Sequence, residues 1–440
     1  MTPEGTLNEP SSPVPPPVYP VSKRQRILCI ASFLFLVATG YFGSVFMMAP
    51  FLPLAFLAPS YFLFFMDCGV HLWSMLAEVI IPSPCFLRYT VLINGVLRIR
   101  VRVFGDKFAD ASTDAATDNT SSSSSSIALL NHRTRLDWLF VFCFGRYARH
   151  LKIVLKQELA GLPGVGWAMQ LDSFIFLRRK IAVDQARIDQ ALEYLLSLEG
   201  RAHVLIFPEG TNLEPSTIEK SDRYAEKMGL PKHRYTLHPR ITGFEHFVRA
   251  MGKDLAYVYD ITVAYPYTLT ESELKMATGD CPQEVHYHVR QWAVSELPPI
   301  SDEKPTNPGT PAISALGRWL QQRWTEKEEL LRNYYALPPE ERRFPGPEID
   351  REGAVIGGSV DAGWSLQAYV VFAYWILFLY FSIAIIYHSW LIRLYVLAVN
   401  VFFVYQGYKT GLGEWVAESA GILMQGSSEP QVNGTPKKDE

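Results

Sequence analysis

The sequence predicts an α/β domain held between two apolar hairpins that enter a membrane. Three observations predict it. Two long, nearly uncharged blocks lie near the ends, and short apolar runs alternate with amphipathic stretches between them. Two compact strings, Asn131-His132-Arg133-Thr134-Arg135-Leu136-Asp137 and Phe207-Pro208-Glu209-Gly210-Thr211, sit where such runs end.

Residues 1–22 are polar and proline-rich and read as a disordered tail. Lys23, Arg24 and Arg26 then precede the first block, 27–81, which only Asp67 and Glu78 interrupt. The membrane region of 23–85 is long enough for two helices, since about 20 residues at 1.5 Å rise cross a roughly 30 Å hydrocarbon layer. Pro50, Pro53 and Pro59 break its middle, so the block either crosses twice or dips in and returns. No small-residue cleavage site follows it, which favours a retained anchor, and the basic residues favour a cytosolic N-terminus. A second block, 366–405, is broken near His388 and Arg393 and predicts a hairpin within 351–408, followed by a cytosolic tail over 409–440. An even number of crossings leaves the middle domain in the cytosol. Burial of both blocks in a soluble core is the competing reading, but uncharged stretches this long are rare in soluble folds.

The domain between them spans 86–350. Residues 91–103 alternate apolar and basic side chains in the manner of a strand, and 127–130 form a second short strand. The Ser-, Asp- and Thr-rich stretch 106–126 separating them reads as a disordered insertion. Its Asn119-Thr120-Ser121 matches a glycosylation acceptor that a cytosolic placement leaves unused. Further on, 138–149 has a helical pattern, and 152–155 and 173–177 read as strands. A good amphipathic helix follows over 184–198, and a strand at 202–207 runs straight into the second string. Strands at 256–265 and 284–289 and a charged helix with an apolar stripe at 313–334 complete the domain. The glycines of 161–166 have neither the order nor the context of a dinucleotide loop.

Composition narrows the chemistry. Five scattered cysteines form no CxxC pair, so neither a disulfide framework nor a zinc site is indicated. His286 and His288 share a strand face, but with no third ligand nearby a structural role is expected and no metal is called for. Net charge is -3, yet Arg98, Arg100, Arg102, Arg133, Arg135, Arg146, Arg149, Lys152 and Lys156 cluster around the first string. That field suits phosphate-bearing lipids or cofactors, or is a solvated basic face; no nucleic-acid-binding module accompanies it.

On a regular helix five residues turn through about 500°, which leaves His132 and Asp137 roughly 140° apart. They meet only if His132 lies in the turn after a strand and Asp137 in the first turn of the next helix. A carboxylate bonded to one ring nitrogen then fixes the tautomer and leaves the other nitrogen free to accept a proton. Alone, the pair reads equally as a surface histidine and a helix-start aspartate. The Pro208-Glu209-Gly210 turn is suited to exposing backbone N–H groups to an anion, and alone reads as a strand-ending turn.

Together the two strings resemble the glycerolipid (1-acylglycerol-3-phosphate) acyltransferase family, in which an Asn-His-x4-Asp block and a Phe-Pro-Glu-Gly-Thr block share one site. Ser173-Phe174-Ile175-Phe176-Leu177-Arg178-Arg179 resembles the family's second block, and Leu237-His238-Pro239-Arg240 sits where its fourth is expected. The stretches 166–170, 237–244 and 260–266 are similar to the lysocardiolipin acyltransferase branch. The resemblance implies a mixed sheet covered by helices, with no bound cofactor and with acyl-CoA as co-substrate. His132 takes a proton from a glycerol hydroxyl that attacks the thioester, and Asp137 orients the ring. Arg179, Pro208, Glu209, Gly210, Thr211 and Asn131 bind substrate, with Arg178, Pro239 and Arg240 as further candidates. No G-x-S-x-G is present, which disfavours a serine acyl-enzyme.

Many lysophosphatidate acyltransferases carry Arg after the Thr, where this chain has Asn212. The expected acceptor is therefore a lysophospholipid whose phosphate is a diester, such as lysophosphatidylinositol, lysophosphatidylglycerol or lysocardiolipin. Lysophosphatidate acylation is the enzymatic alternative, and an inactive membrane scaffold is the alternative of another class. The terminal Lys437-Lys438-Asp439-Glu440 resembles a dilysine retrieval signal read by coat protein, which implies a multi-pass endoplasmic reticulum protein with its catalytic domain facing the cytosol.

Overall fold

The computed structural model describes residues 22–80, 99–108, 125–144, 147, 150–300, 313–349 and 366–426. The tail 1–22 apart from its last residue, most of the insertion 106–126 with its glycosylation acceptor, and the Lys437-Lys438 end lie outside them. So do Arg98, Arg146 and Arg149.

Eight strands form one sheet: β1 (Arg100–Gly105), β2 (Ser125–Leu130), β3 (Leu151–Lys156), β4 (Ile175–Leu177), β5 (His203–Ile206), β6 (Leu255–Ala264), β7 (Glu284–Ala293) and β8 (Glu348–Ile349), in the order β4-β3-β5-β2-β6-β7-β1-β8. The five strands from β4 to β6 run parallel; β7 is antiparallel to β6 and β8 to β1, so the sheet is mixed. Central β2 shows why this sequence makes a two-faced sheet. Ile127 and Leu129 pack into one apolar cluster with Ile188, Leu192, Phe244 and Trp324, while Ala128 and Leu130 enter another with Leu139 and Phe140. Alternate residues point to opposite faces, and both faces are covered, as a parallel sheet requires. Ser125 and Ser126, expected in the insertion, belong to this strand. Ser125 Oγ accepts the N–H of Ala202 at 2.9 Å, and Ser126 Oγ lies 2.8 Å from His203 Nδ1. Hydroxyls engaged by neighbouring groups cost little to bury, whereas a hydrophobicity pattern counts serine as loop.

The helices begin with α1 (Lys23–Gly43) and α2 (Pro59–Ile80), joined by a π turn and short helical turns over 44–57 that contain Pro50 and Pro53. Within the domain lie α3 (Asp137–Val141), α4 (Val165–Leu171), α5 (Ile181–Glu199), α6 (Pro215–Met228), α7 (Ile241–Met251) and α8 (Ala315–Ala336). Within 138–149, where one helix is expected, α3 ends at Val141 and passes into a 3-10 turn at Phe142–Phe144, and Tyr147 is helical again. After the domain come α9 (Leu366–His388), α10 (Trp390–Lys409) and α11 (Leu412–Gly426).

Among the described residues, three helical stretches are long and apolar enough to cross a membrane: Arg26–Phe51, Tyr369–His388 and Trp390–Lys409. The last two bury only 17% of their apolar windows against the protein, which leaves the remainder for lipid. Helix α2 is different, because its Asp67 is tied into the domain. Lys152 Nζ lies 3.2 Å from Asp67 and 2.9 Å from Asp172, and all three are buried. Burial, and then the second carboxylate, push Asp172 up to about 7 against the pull of Lys152. Removing one member of such a cluster strands a buried charge, so α2 is fastened where it lies. Gly164, at φ +81°, marks a second fastening: a Cβ there would stand 2.5 Å from the Cα of Tyr41 in α1. The glycine loop is thus a close helix contact.

The tail expected from residue 409 is corrected. Residues 412–426 form α11, which docks on the domain through Arg187–Glu414 at 2.5 Å and through Gln170, whose Oε1 accepts the Leu412 N–H at 2.8 Å.

Candidate active site

All five parallel strands end at one edge of the sheet, the place where open α/β sheets bind ligands. The carboxyl ends of β2, β5, β3, β4 and β6 deliver His132, Pro208-Glu209-Gly210, Lys156, Arg178-Arg179 and Tyr265 respectively.

His132 and Asp137 meet across the bend between β2 and α3, with Nδ1 2.9 Å from Asp137 Oδ2. The same oxygen accepts the backbone N–H groups of Arg133 at 2.7 Å and Thr134 at 3.0 Å, and Oδ1 accepts the Tyr265 hydroxyl at 2.6 Å. Asp137 opens α3, where the helix dipole also favours its charge. A carboxylate surrounded by donors can only accept, so Nδ1 carries the ring proton and Nε2 is left as the basic nitrogen. The ring packs on Phe207 at 4.3 Å between centroids and keeps 14% of its surface open, while Asp137 is fully enclosed. Burial, then the Asp137 charge, hold the Tyr265 phenol well above its ordinary pKa, so it remains a donor.

The chain just after the second string is hydrogen-bonded to the first, since Leu213 N donates to His132 O at 2.9 Å. Gly210, at φ +72°, closes the turn with its N–H on Phe207 O at 2.9 Å. Two arginines flank it. Arg179 Nη2 donates to Gly210 O at 3.0 Å, and the Arg240 side chain lies where a Gly210 Cβ would stand, 3.0 Å from its Nε. Arg179 takes a left-handed backbone at φ 63°, which costs about 1–2 kcal/mol for a residue with a Cβ and aims the guanidinium at the turn. Arg178 and Arg179 are exposed, as is Arg240, while Thr211 is half-buried. Buried Pro208 and Pro239 shape the backbone, and Pro208 O accepts the Arg240 N–H at 2.8 Å.

Two expected substrate contacts are corrected. Asn131 is fully buried, and its amide is spent on β6: Oδ1 accepts Val263 N at 2.7 Å and Nδ2 donates to Val263 O at 3.3 Å. It continues the sheet by one rung and so places His132. Glu209 is buried under the turn, with Oε1 accepting the Trp324 indole N–H at 3.1 Å. Burial raises its pKa to about 8, opposed by that indole and by the backbone N–H groups of Leu237 and His132. It is a buried prop beneath the turn, and burial favours its protonated form.

Of the two readings of the basic residues, the described ones mostly fit a face with its own counter-charges. Arg100 pairs with Glu284 at 3.1 Å and Arg102 with Glu348 at 2.6 Å, Lys152 is buried, and Arg133 donates to Tyr235 O at 3.0 Å. Among the described members Lys156 lies at the site: it pairs with Leu177 across β3 and β4, two residues from Arg179. Partial burial, then the charges of Arg179 and Arg135, lower its pKa. His286 is structural, 3.0 Å from Glu284 and 2.8 Å from the Tyr334 hydroxyl. Among the described residues no cluster suits a metal.

Sequence reasoning missed Tyr265 and Trp324, which reach the site from the end of a neighbouring strand and from a distant helix and which no local pattern marks, and it gave the ring of Phe207 within the second string no task. Beyond Asp137, Trp138 lines an apolar cavity shared with Trp73, Phe142, Met169, Phe174 and Trp375.

A family model described as Acyltransferase matches residues 113–266, which contain the His132–Asp137 corner and the Gly210 turn, and these define an acyltransferase domain. Lysocardiolipin acyltransferase 1 of Danio rerio is 37% identical over 325 residues, covering 73% of this chain and 74% of that protein. Lysophosphatidylinositol acyltransferase 10 of Caenorhabditis elegans is 35% identical over 263 residues, 58% of this chain and 61% of that one. The 2-acyl-1-lysophosphatidylinositol acyltransferase of Saccharomyces cerevisiae is 26% identical over 257 residues, 48% and 62%. The chain belongs to the glycerolipid acyltransferase family, in its lysocardiolipin acyltransferase-like branch.

Proposed function

We propose that this protein transfers an acyl chain from acyl-CoA to the free hydroxyl of a lysophospholipid with a phosphodiester headgroup, and that His132 is the general base. The 2.9 Å contact between His132 Nδ1 and a fully buried, four-donor Asp137 carries the reading. Nε2 takes the proton as the acceptor oxygen bonds to the thioester carbonyl carbon. The tetrahedral adduct then collapses, the C–S bond breaks, and the CoA sulfur leaves with the proton held by the imidazolium. Arg179, Arg240 and Lys156 supply charge for the acceptor's phosphate beside the Gly210 turn. The apolar cavity next to Trp138 has the lining that an acyl chain needs.

Asn212 favours a diester. Its Nδ2 donates to Glu214 Oε1 at 2.7 Å, so the position that carries arginine in many lysophosphatidate acyltransferases here serves the start of α6. Purified protein in phospholipid nanodiscs, given labelled oleoyl-CoA, is expected to acylate lysophosphatidylinositol, lysophosphatidylglycerol or monolysocardiolipin in preference to lysophosphatidate. Asn212→Arg is expected to narrow that preference. A strong lysophosphatidate preference in the unaltered protein overturns the diester reading.

The protein is further proposed to reside in the endoplasmic reticulum with its domain on the cytosolic side. The α1–α2 hairpin dips into the bilayer and returns, its second limb held to the domain by Asp67, while α9 and α10 cross. Lys437→Ser with Lys438→Ser is expected to release the protein to later compartments, and unchanged retention in microscopy argues against the dilysine signal.

A further inference from the structure

Helix α8 lies beyond the residues matched by the acyltransferase family model, yet its second half touches several separate parts of the site. Trp324, Glu328, Leu331 and Tyr335 recur at intervals of three and four residues and so share one face. Trp324 holds Glu209 at 3.1 Å. The Tyr335 hydroxyl accepts the Tyr265 N–H at 3.1 Å, and its ring stacks on Tyr235 at 5.3 Å and lies 5.5 Å from the Arg133 guanidinium. Lys327 secures the helix to the sheet through Asp260 at 2.5 Å.

Glu328 is the residue that apolar packing does not explain. It is buried, and its carboxylate gathers the backbone N–H groups of Arg234 at 2.8 Å, Tyr235 at 2.8 Å and Thr236 at 3.0 Å, with the Thr236 hydroxyl at 3.2 Å. A buried carboxylate is costly unless donors surround it, and here the hydrogen-bond donors come from one loop, with Arg332 Nη2 of the same helix 3.8 Å away. That loop runs directly into Leu237, whose N–H faces Glu209, and then through Pro239 into Arg240, which lies against Pro208 and Gly210. Where the loop sits decides where the Arg240 guanidinium sits.

We propose that Glu328 is a positioning residue for acceptor recognition: by gripping residues 234–236 it sets Arg240 beside the Gly210 turn, and Trp324 does the same for Glu209 beneath it. The inference rests on the reading of that turn as the headgroup site. It separates the two substrates, since α8 organises the acceptor's side and leaves the acyl donor's side to other elements.

The test uses the full chain in nanodiscs and reads lysophosphatidylinositol binding by calorimetry, together with KM for acceptor and for oleoyl-CoA. Glu328→Gln keeps the size but sets an NH2 against backbone N–H groups, so acceptor Kd and KM are expected to rise about tenfold. The oleoyl-CoA KM is expected to stay within about twofold. In an Arg240→Ala background the same change is expected to add less than about twofold, because both act through one guanidinium. Equal rises in both KM values, or full additivity with Arg240→Ala, overturn the proposal. Should Glu328→Gln not fold, Trp324→Phe is expected to raise acceptor Kd about threefold through the lost indole bond, and an unchanged Kd overturns it. Retained lysophosphatidylinositol binding without turnover sinks only the acyl-CoA reading, whereas equal binding by unaltered protein and Glu328→Gln sinks only this one.

Discussion

The two ends of the site are built on opposite principles. At the His132 corner, Asp137 is wholly enclosed and takes four hydrogen bonds, two of them from the backbone that carries the histidine. At the Gly210 turn the working groups are exposed arginines, one of them on a strained backbone, with a buried Glu209 beneath them. Under the proposed function the difference matches two tasks. Proton transfer needs one geometry within hydrogen-bond reach, whereas a bulky headgroup needs charge at an open rim.

The largest effects should come from the enclosed end. Asp137→Asn leaves the shape of the corner but removes the carboxylate that holds Nδ1–H, and kcat is expected to fall by about 10² to 10⁴, with acceptor KM little changed. A fall in affinity without loss of kcat would show that the corner binds and does not catalyse. At the open end the order reverses. Arg179→Ala removes a charged donor, and acceptor KM is expected to rise about tenfold, with a smaller change in kcat and a clear salt dependence.

The smallest effect sharpens the boundary between the two ends. Glu209 has a folded pKa of about 8 against an ordinary 4.5, so its protonated form is the one the fold prefers. The stability this contributes is complete below the unfolded value and is lost as pH rises through the folded one. Thermal unfolding followed from about pH 6 to pH 9 should show the unaltered protein losing Tm faster than Glu209→Gln. Equal slopes would mean that Glu209 is charged throughout.

Much of the scaffold was legible because it depends on local period. The α5 helix, strands β3, β5 and β6, and the apolar α9 and α10 fall within a few residues of expectation, since side-chain alternation and uncharged length report directly on faces and on lipid. The break at His388 and Arg393 has its counterpart in the single residue between α9 and α10, where Arg393 donates to the carbonyls of Ile386 and Tyr387 that end α9. Local period misled where polar groups were satisfied by distant ones. Ser125 and Ser126 read as loop, the basic residues near the first string read equally as a free field or a solvated face, and 412–426 read as tail.

Sequence alone marked which residues stand at strand ends and that His132 and Asp137 could meet only across a bend, because five-residue spacing on a helix keeps them apart. It also marked the two apolar blocks, because charge is excluded from hydrocarbon wherever it falls in the chain. Tertiary structure alone decided which groups surround Asp137, why Asn131 faces β6 instead of a lipid, how Lys152 fastens α2, and that α8 underlies the Gly210 turn. Those facts rest on contacts between residues far apart in the chain, such as Trp324 and Glu209, and a spacing pattern carries information only about neighbours.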